Sequence, residues 1–208
     1  MIRYHYINRL VLELYSNMPF IQFPINPIDL IHCIPNCRYM SYQDFMKLNN
    51  CTLDDVIILC ESSSGCTHYD VKTNRYLILC NESLSNNNNT GRQRWTCSHE
   101  IGHIICNHHS ISLNSKLSEN SFLKIENEDF EKEADYFAAT ILAPFPLFGT
   151  LGISTPQDVQ NTFGLSREAA INRFEQYLKW KSNHRKTSWE NDILKLYIRK
   201  KCEIPLPF

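Results

Sequence analysis

Ile7, Leu10, Val11, Leu14 and Tyr15 recur at helical spacing, which predicts an amphipathic helix over residues 3–17 that the stretch Pro19 to Pro27 ends. A short helix is expected from Pro27 or Asp29 to Cys33. The pattern then changes. Asp55 to Glu61 and Arg75 to Asn81 are short runs rich in Ile, Leu, Val and Tyr, set apart by Ser62-Ser63-Ser64-Gly65 and Lys72-Thr73-Asn74. They read as two or three strands of a small antiparallel sheet. Ser85 to Thr90, with asparagine at 86 to 89, has no period and is expected to be a surface loop. Helical spacing returns from Arg94, where Ile101, Ile104, Ile105 and His108 share one face. Phe130, Ala134, Phe137, Ala138 and Ile141 predict a further helix over about 127–142, with Pro144 as its stop. Residues 155–197 read as helical with a break at Gly164. The expected class is α+β, mainly helical with a small antiparallel three-stranded sheet, in a domain of residues 1–150 followed by a helical region 151–208.

Composition narrows the role. The chain has 208 residues, 43% hydrophobic and 21% charged, enough for a sizeable core. Lys plus Arg number 21 against 22 Asp plus Glu, so no overall field draws it to nucleic acid or an anionic membrane. The nine cysteines, several in apolar runs such as those ending at Cys60 and Cys80, read as buried free thiols of a reducing compartment. No uninterrupted apolar stretch resembles a signal peptide or reaches the roughly 18 residues of a membrane span. A cytoplasmic protein is expected.

The string that carries chemistry is His99-Glu100-Ile101-Gly102-His103. On a helix the two histidines stand one turn apart on one face, where both imidazoles can bind one zinc ion, and Glu100 lies beside them to take a proton from metal-bound water. A catalytic zinc site needs a third protein ligand. One candidate is His109, ten residues after His99, the spacing of the metzincin pattern HExxHxxGxxH. Cys106 stands at that pattern's glycine, however, and all four methionines precede the motif, so no metzincin methionine turn can follow. His108 and His109 are instead expected at a helix end, complementing its dipole. The other candidate lies in Glu131-Lys132-Glu133-Ala134-Asp135. Glu131 and Asp135 share a helix face, so Glu131 can ligate metal while Asp135 orients a ligating histidine. This ExxxD arrangement resembles the gluzincins. Glu133 is the fallback ligand, and the remaining acidic residues of this stretch suit a helix N-terminus.

Arg92-Gln93-Arg94-Trp95-Thr96, His99-Glu100-Ile101-Gly102-His103 and Glu131-Lys132-Glu133-Ala134-Asp135-Tyr136-Phe137-Ala138-Ala139 with Leu142-Ala143-Pro144 together resemble the ImmA/IrrE family of metallopeptidases, over roughly residues 55–180. Trp95, Cys97-Ser98 and Ala143 depart from the family pattern without touching a proposed ligand. The resemblance implies a zincin-like core and a cytoplasmic zinc endopeptidase, often carried by prophages or mobile elements, that cuts a helix-turn-helix repressor. It maps the ligand glutamate onto Glu131. It also likens 158–170 to the family's C-terminal helical pair, whose expected role is packing against the core.

Arg173 to Lys201 holds nine basic residues against three acidic ones, a local patch for an acidic partner or nucleic acid, or a solvated face. Two rival classes therefore stay open: a non-cleaving zinc module that docks on a transcription factor, and a DNA-binding protein with a structural metal.

Overall fold

A computed structural model describes residues 1–82, 90–115, 128–183 and 187–202. Helix α1 (Tyr4–Asn17) buries Ile7, Val11, Leu14 and Tyr15, the predicted stripe. Helix α2 (Pro27–His32) starts where the Asn26 side chain accepts from the Ile28 N–H at 3.2 Å, with Pro27 at its first position. Strand β1 (Cys37–Ser41), helices α3 (Tyr42–Asn49) and α4 (Leu53–Cys60), and strands β2 (Gly65–Asp70) and β3 (Arg75–Cys80) follow.

Two expectations fail in this stretch. Asp55 to Glu61 is helical rather than a strand. Thr52 and Asp55 cap α4 reciprocally, and Glu61 closes it in the left-handed region at φ 48°. Of its apolar run only Val56 is fully buried, while Ile58 and Leu59 are exposed, so the run does not form a core strand. The sheet is mixed rather than antiparallel. Its order is β1-β3-β2, with β2 antiparallel to β3 and β1, unforeseen from sequence, parallel to β3 from Cys37 opposite Tyr76 to Ser41 opposite Cys80. The α3–α4 pair and β2 occupy the crossover, the length of connection that a parallel pairing demands.

Helix α5 (Thr90–Ile105) packs on β2 and β3 and crosses α7 (Glu128–Leu142). Gly102 lets the two helices meet: a Cβ there would lie 3.0 Å from the Ala134 Cα and 3.1 Å from its carbonyl oxygen. The helical pattern does not run through His108 as one element. Asn107 adopts the left-handed conformation at φ 61°, and His108 opens a new helix, α6 (His108–Ser115). The loop expected at 85–90 lies outside the described residues except for Thr90, which begins α5.

Past Pro144 come a 3₁₀ turn (Phe145–Leu147) and helices α8 (Pro156–Phe163), α9 (Arg167–Asn183) and α10 (Ser188–Cys202). Gly164 ends α8 at φ 62°. The α8–α9 pair turns Val159, Phe163, Ala170 and Tyr177 into the same apolar core that holds Ile7 and Val11 of α1, Ile101 of α5 and Ile193 of α10. Arg173, the first residue of the basic run, is buried, donating from Nε and Nη2 to the Ala143 carbonyl at 3.0 and 2.8 Å. It therefore caps α7. All eight cysteines with described side chains are free thiols, with Cys80, Cys97 and Cys106 buried. Among the described residues no helix is long and apolar enough to cross a membrane.

Candidate metal centre

His99 and His103 project from one face of α5, with ring centroids 4.8 Å apart and planes at 70°. The first turn of α7 brings Glu131 against them, and Ala134, one turn on, packs on Gly102 to hold it there. The Nε2 atoms of His99 and His103 lie 3.0 Å apart. Glu131 Oε2 is 3.2 Å from the first and Oε1 is 3.6 Å from the second. One donor atom from each residue falls within 4.8 Å of the others, and His103 is buried, His99 half-buried and Glu131 exposed. Two imidazoles and a carboxylate in this arrangement suit zinc, with the exposed side left for water and substrate.

The other ring nitrogens are engaged. His99 Nδ1 donates to Asp135 Oδ1 at 2.9 Å, which leaves Nε2 as the nitrogen that faces Glu131 and that a metal would take in place of its proton. Asp135 lies one turn beyond Glu131, as the ExxxD spacing predicts. His103 Nδ1 meets His108 Nδ1 at 3.0 Å. The two histidines are pulled in opposite directions. Burial opposes protonation of His99, yet the Asp135 and Glu131 carboxylates outweigh it and raise the imidazole to about 10. Burial, reinforced by the neighbouring histidines, lowers His103 to about 2. The proton affinity at His99 reflects the negative charge of Glu131 and Asp135, the same charge that favours a divalent cation.

Glu100 occupies the side of α5 that faces β2. Its Oε2 accepts the Thr67 Oγ1 hydroxyl at 2.7 Å. Burial raises the carboxyl above the ordinary glutamate value and Glu131 adds to the rise, while the Thr67 hydrogen bond and His99 oppose it. A carboxyl raised in this way holds a proton more readily than an ordinary glutamate.

Glu133 points elsewhere. Its side chain is 2% exposed and its carboxylate accepts from the Arg3 backbone N–H at 2.8 Å, from Arg3 Nε at 3.0 Å and from His108 Nε2 at 3.0 Å. Burial would raise this carboxyl, but Arg3 and His108 hold it down at about 2. Cys106, His108 and Glu133 also bring donor atoms within 4.8 Å of one another. There the Arg3 guanidinium is the cation, bound to Glu133 and, through Nη2, to the Cys106 carbonyl at 3.1 Å.

His109 lies outside the His99–His103–Glu131 group, its ring among Tyr69, Tyr76 and His103 with centroids 6.0, 5.8 and 6.4 Å away. The expectation that His108 and His109 complement a helix C-terminus does not hold. They open α6, and burial lowers both, His109 to about 4, so neither supplies a charge to a dipole. No sequence signal points to Thr67 or Arg3, and none points to His108 as a partner of His103. Thr67 comes from a strand 33 residues before Glu100 and Arg3 from 130 residues before Glu133, separations that local periodicity does not report.

The peptidase family described as the IrrE N-terminal-like domain, M78, matches residues 62–175, more than half of the chain. The chain belongs to that family. The M78 match covers β2, β3, α5, α6, α7, α8 and the first half of α9, and with them His99, Glu100, His103, Glu131 and Asp135. M78 membership gives the chain a metallopeptidase-type function. No curated protein and no solved structure matches the chain.

Proposed function

We propose that this M78 protein is a zinc-dependent endopeptidase in which His99, His103 and Glu131 hold the metal, Glu100 is the general base and Asp135 orients His99. The observation that carries this reading is the convergence of two imidazole nitrogens and one carboxylate, with a half-buried glutamate on the neighbouring turn of α5. Zinc bound there supplies a Lewis acid and acidifies a water toward about 7. Glu100 takes a proton from the attacking water and returns it to the leaving amine. Thr67 holds the Glu100 carboxylate toward β2, and Asp135 keeps the His99 lone pair on Nε2.

The substrate is a polypeptide in extended form. Strand β2 pairs only with β3 among the described residues, so its other edge offers main-chain groups to a peptide strand running past Glu100. The finer reading is a helix-turn-helix repressor in the cytoplasm, supported by the ImmA/IrrE resemblance of the two motif segments. The test is a quantitative proteome comparison of native cells expressing wild-type or Glu100→Gln protein, with the variant also used as bait. A repressor that accumulates intact with the variant, copurifies with it and appears as fragments with the wild type supports the reading. Matching proteomes, with one partner captured by both forms, contradict it.

A further inference from the structure

A hydrogen-bonded row leads away from the proposed metal centre into the protein and ends outside the matched segment. His103 Nδ1 meets His108 Nδ1 at 3.0 Å, His108 Nε2 meets Glu133 Oε2 at 3.0 Å, and Glu133 is held by the main chain and guanidinium of Arg3. Each member is fixed by something besides the row. His108 is fully buried and stacks on Phe130 with centroids 4.4 Å apart and planes at 6°. Arg3 immediately precedes α1, which packs along α7, and its Nη2 also donates to the carbonyl of Cys106 behind α5.

The chemistry of the row fixes its hydrogens. A carboxylate paired with a guanidinium can only accept, so the His108 Nε2 carries a hydrogen. A neutral imidazole carries only one, leaving the His108 Nδ1 as an acceptor, and the facing nitrogen of His103 must then be N–H. The lone pair of His103 is thereby directed onto Nε2, toward Glu131 and His99. His99 is oriented by a carboxylate, whereas His103 is oriented by a second, neutral imidazole.

We infer that Arg3, Glu133 and His108 are positioning residues that hold His103 in its metal-binding tautomer and rotamer, so that a side chain from before α1 completes the metal centre. This rests on the proposed ligand set His99, His103 and Glu131. Outer partners of ligating histidines are worth roughly 10- to 100-fold in metal affinity.

The experiment is a competition titration of Zn²⁺ against a chromophoric chelator, using the full chain. His108→Phe keeps an aromatic ring on Phe130 but offers no acceptor, and is expected to bind Zn²⁺ ~10- to 100-fold more weakly. His108→Gln, whose amide has both an acceptor and a donor, is expected to recover most of the loss, and Arg3→Ala to weaken binding with partial recovery in Arg3→Lys. Unchanged affinity in His108→Phe and Arg3→Ala, with binding abolished in His99→Ala, overturns the inference while leaving the ligand set standing. Binding untouched by His99→Ala overturns both. Nitrogen-15 spectra of the imidazoles in the metal-free wild type test the row without any variant. They should show Nδ1–H at His103 and Nε2–H at His108, and Nε2–H at His103 overturns the inference.

Discussion

The Thr67 hydroxyl donates to Glu100 Oε2 at 2.7 Å, joining the middle of β2 to the proposed base on α5. The bond favours the ionised carboxylate and works against the burial that raises it. Thr67→Val removes the donor and keeps the shape, so the Glu100 carboxyl should rise further. The acid limb of the kcat/KM profile should then move to higher pH, because the ionised carboxylate loses a hydrogen bond worth about 1.5–3 kcal/mol. Thr67→Ser should behave as wild type. An acid limb that stays put in Thr67→Val separates Thr67 from the base.

Glu100→Gln should retain zinc at one equivalent and lose cleavage by at least ~100-fold, since general-base catalysis contributes about 10²–10⁴. Metal analysis and a cleavage assay on one preparation check it. Retained cleavage removes Glu100 from the base role.

Gly102→Ala inverts the usual helix preference. Alanine in an open helix position stabilises by up to about 1 kcal/mol, but here its methyl would stand 3.0 Å from the Ala134 backbone. The helices must part, at about 1–3 kcal/mol by overpacking, and Glu131 is drawn away from the histidines. Denaturant unfolding should show a loss of stability, with weaker zinc binding in the same variant. A more stable Gly102→Ala protein contradicts the close α5–α7 approach.

Glu133 gives the fold a pH dependence that can be signed. The folded carboxyl titrates at about 2 against an ordinary 4.5, so its contribution is fully present above 4.5 and lost as pH falls toward 2. At neutral pH, Glu133→Gln should cost about 3 kcal/mol, the low end for breaking a buried pair. The gap between wild type and variant should narrow below 4.5, and denaturant melts of the metal-free protein across pH 7 to 3 measure it. A gap that widens toward acid contradicts the Arg3–Glu133 pairing.

The helical parts of the site were legible because their signals are local. The i, i+4 histidines and the Glu131–Asp135 spacing specify helix faces, and Pro144 marks where α7 stops. Asp55 to Glu61 reads as a strand because a short apolar run fits strand and helix alike, and the signal that decides for helix is the Thr52-x-x-Asp55 capping box. β1 has only five residues, one of them the polar Arg38, and takes its direction from a partner 39 residues away. His108 falls in the period of α5 because nothing in that period reveals that Asn107 turns left-handed. That turn carries His108 beside His103, where the sequence pattern had placed a helix end.

The ligand set is tested most directly by X-ray absorption at the zinc edge of the purified, zinc-loaded chain. With nine cysteines in the sequence, thiolate is the natural competitor for the ion. The account predicts a shell of nitrogen and oxygen only, at about 2.0–2.2 Å with the scattering of two imidazoles, and its collapse in His99→Ala. Sulfur at about 2.3 Å in the wild type, or a spectrum unchanged in His99→Ala, would contradict it.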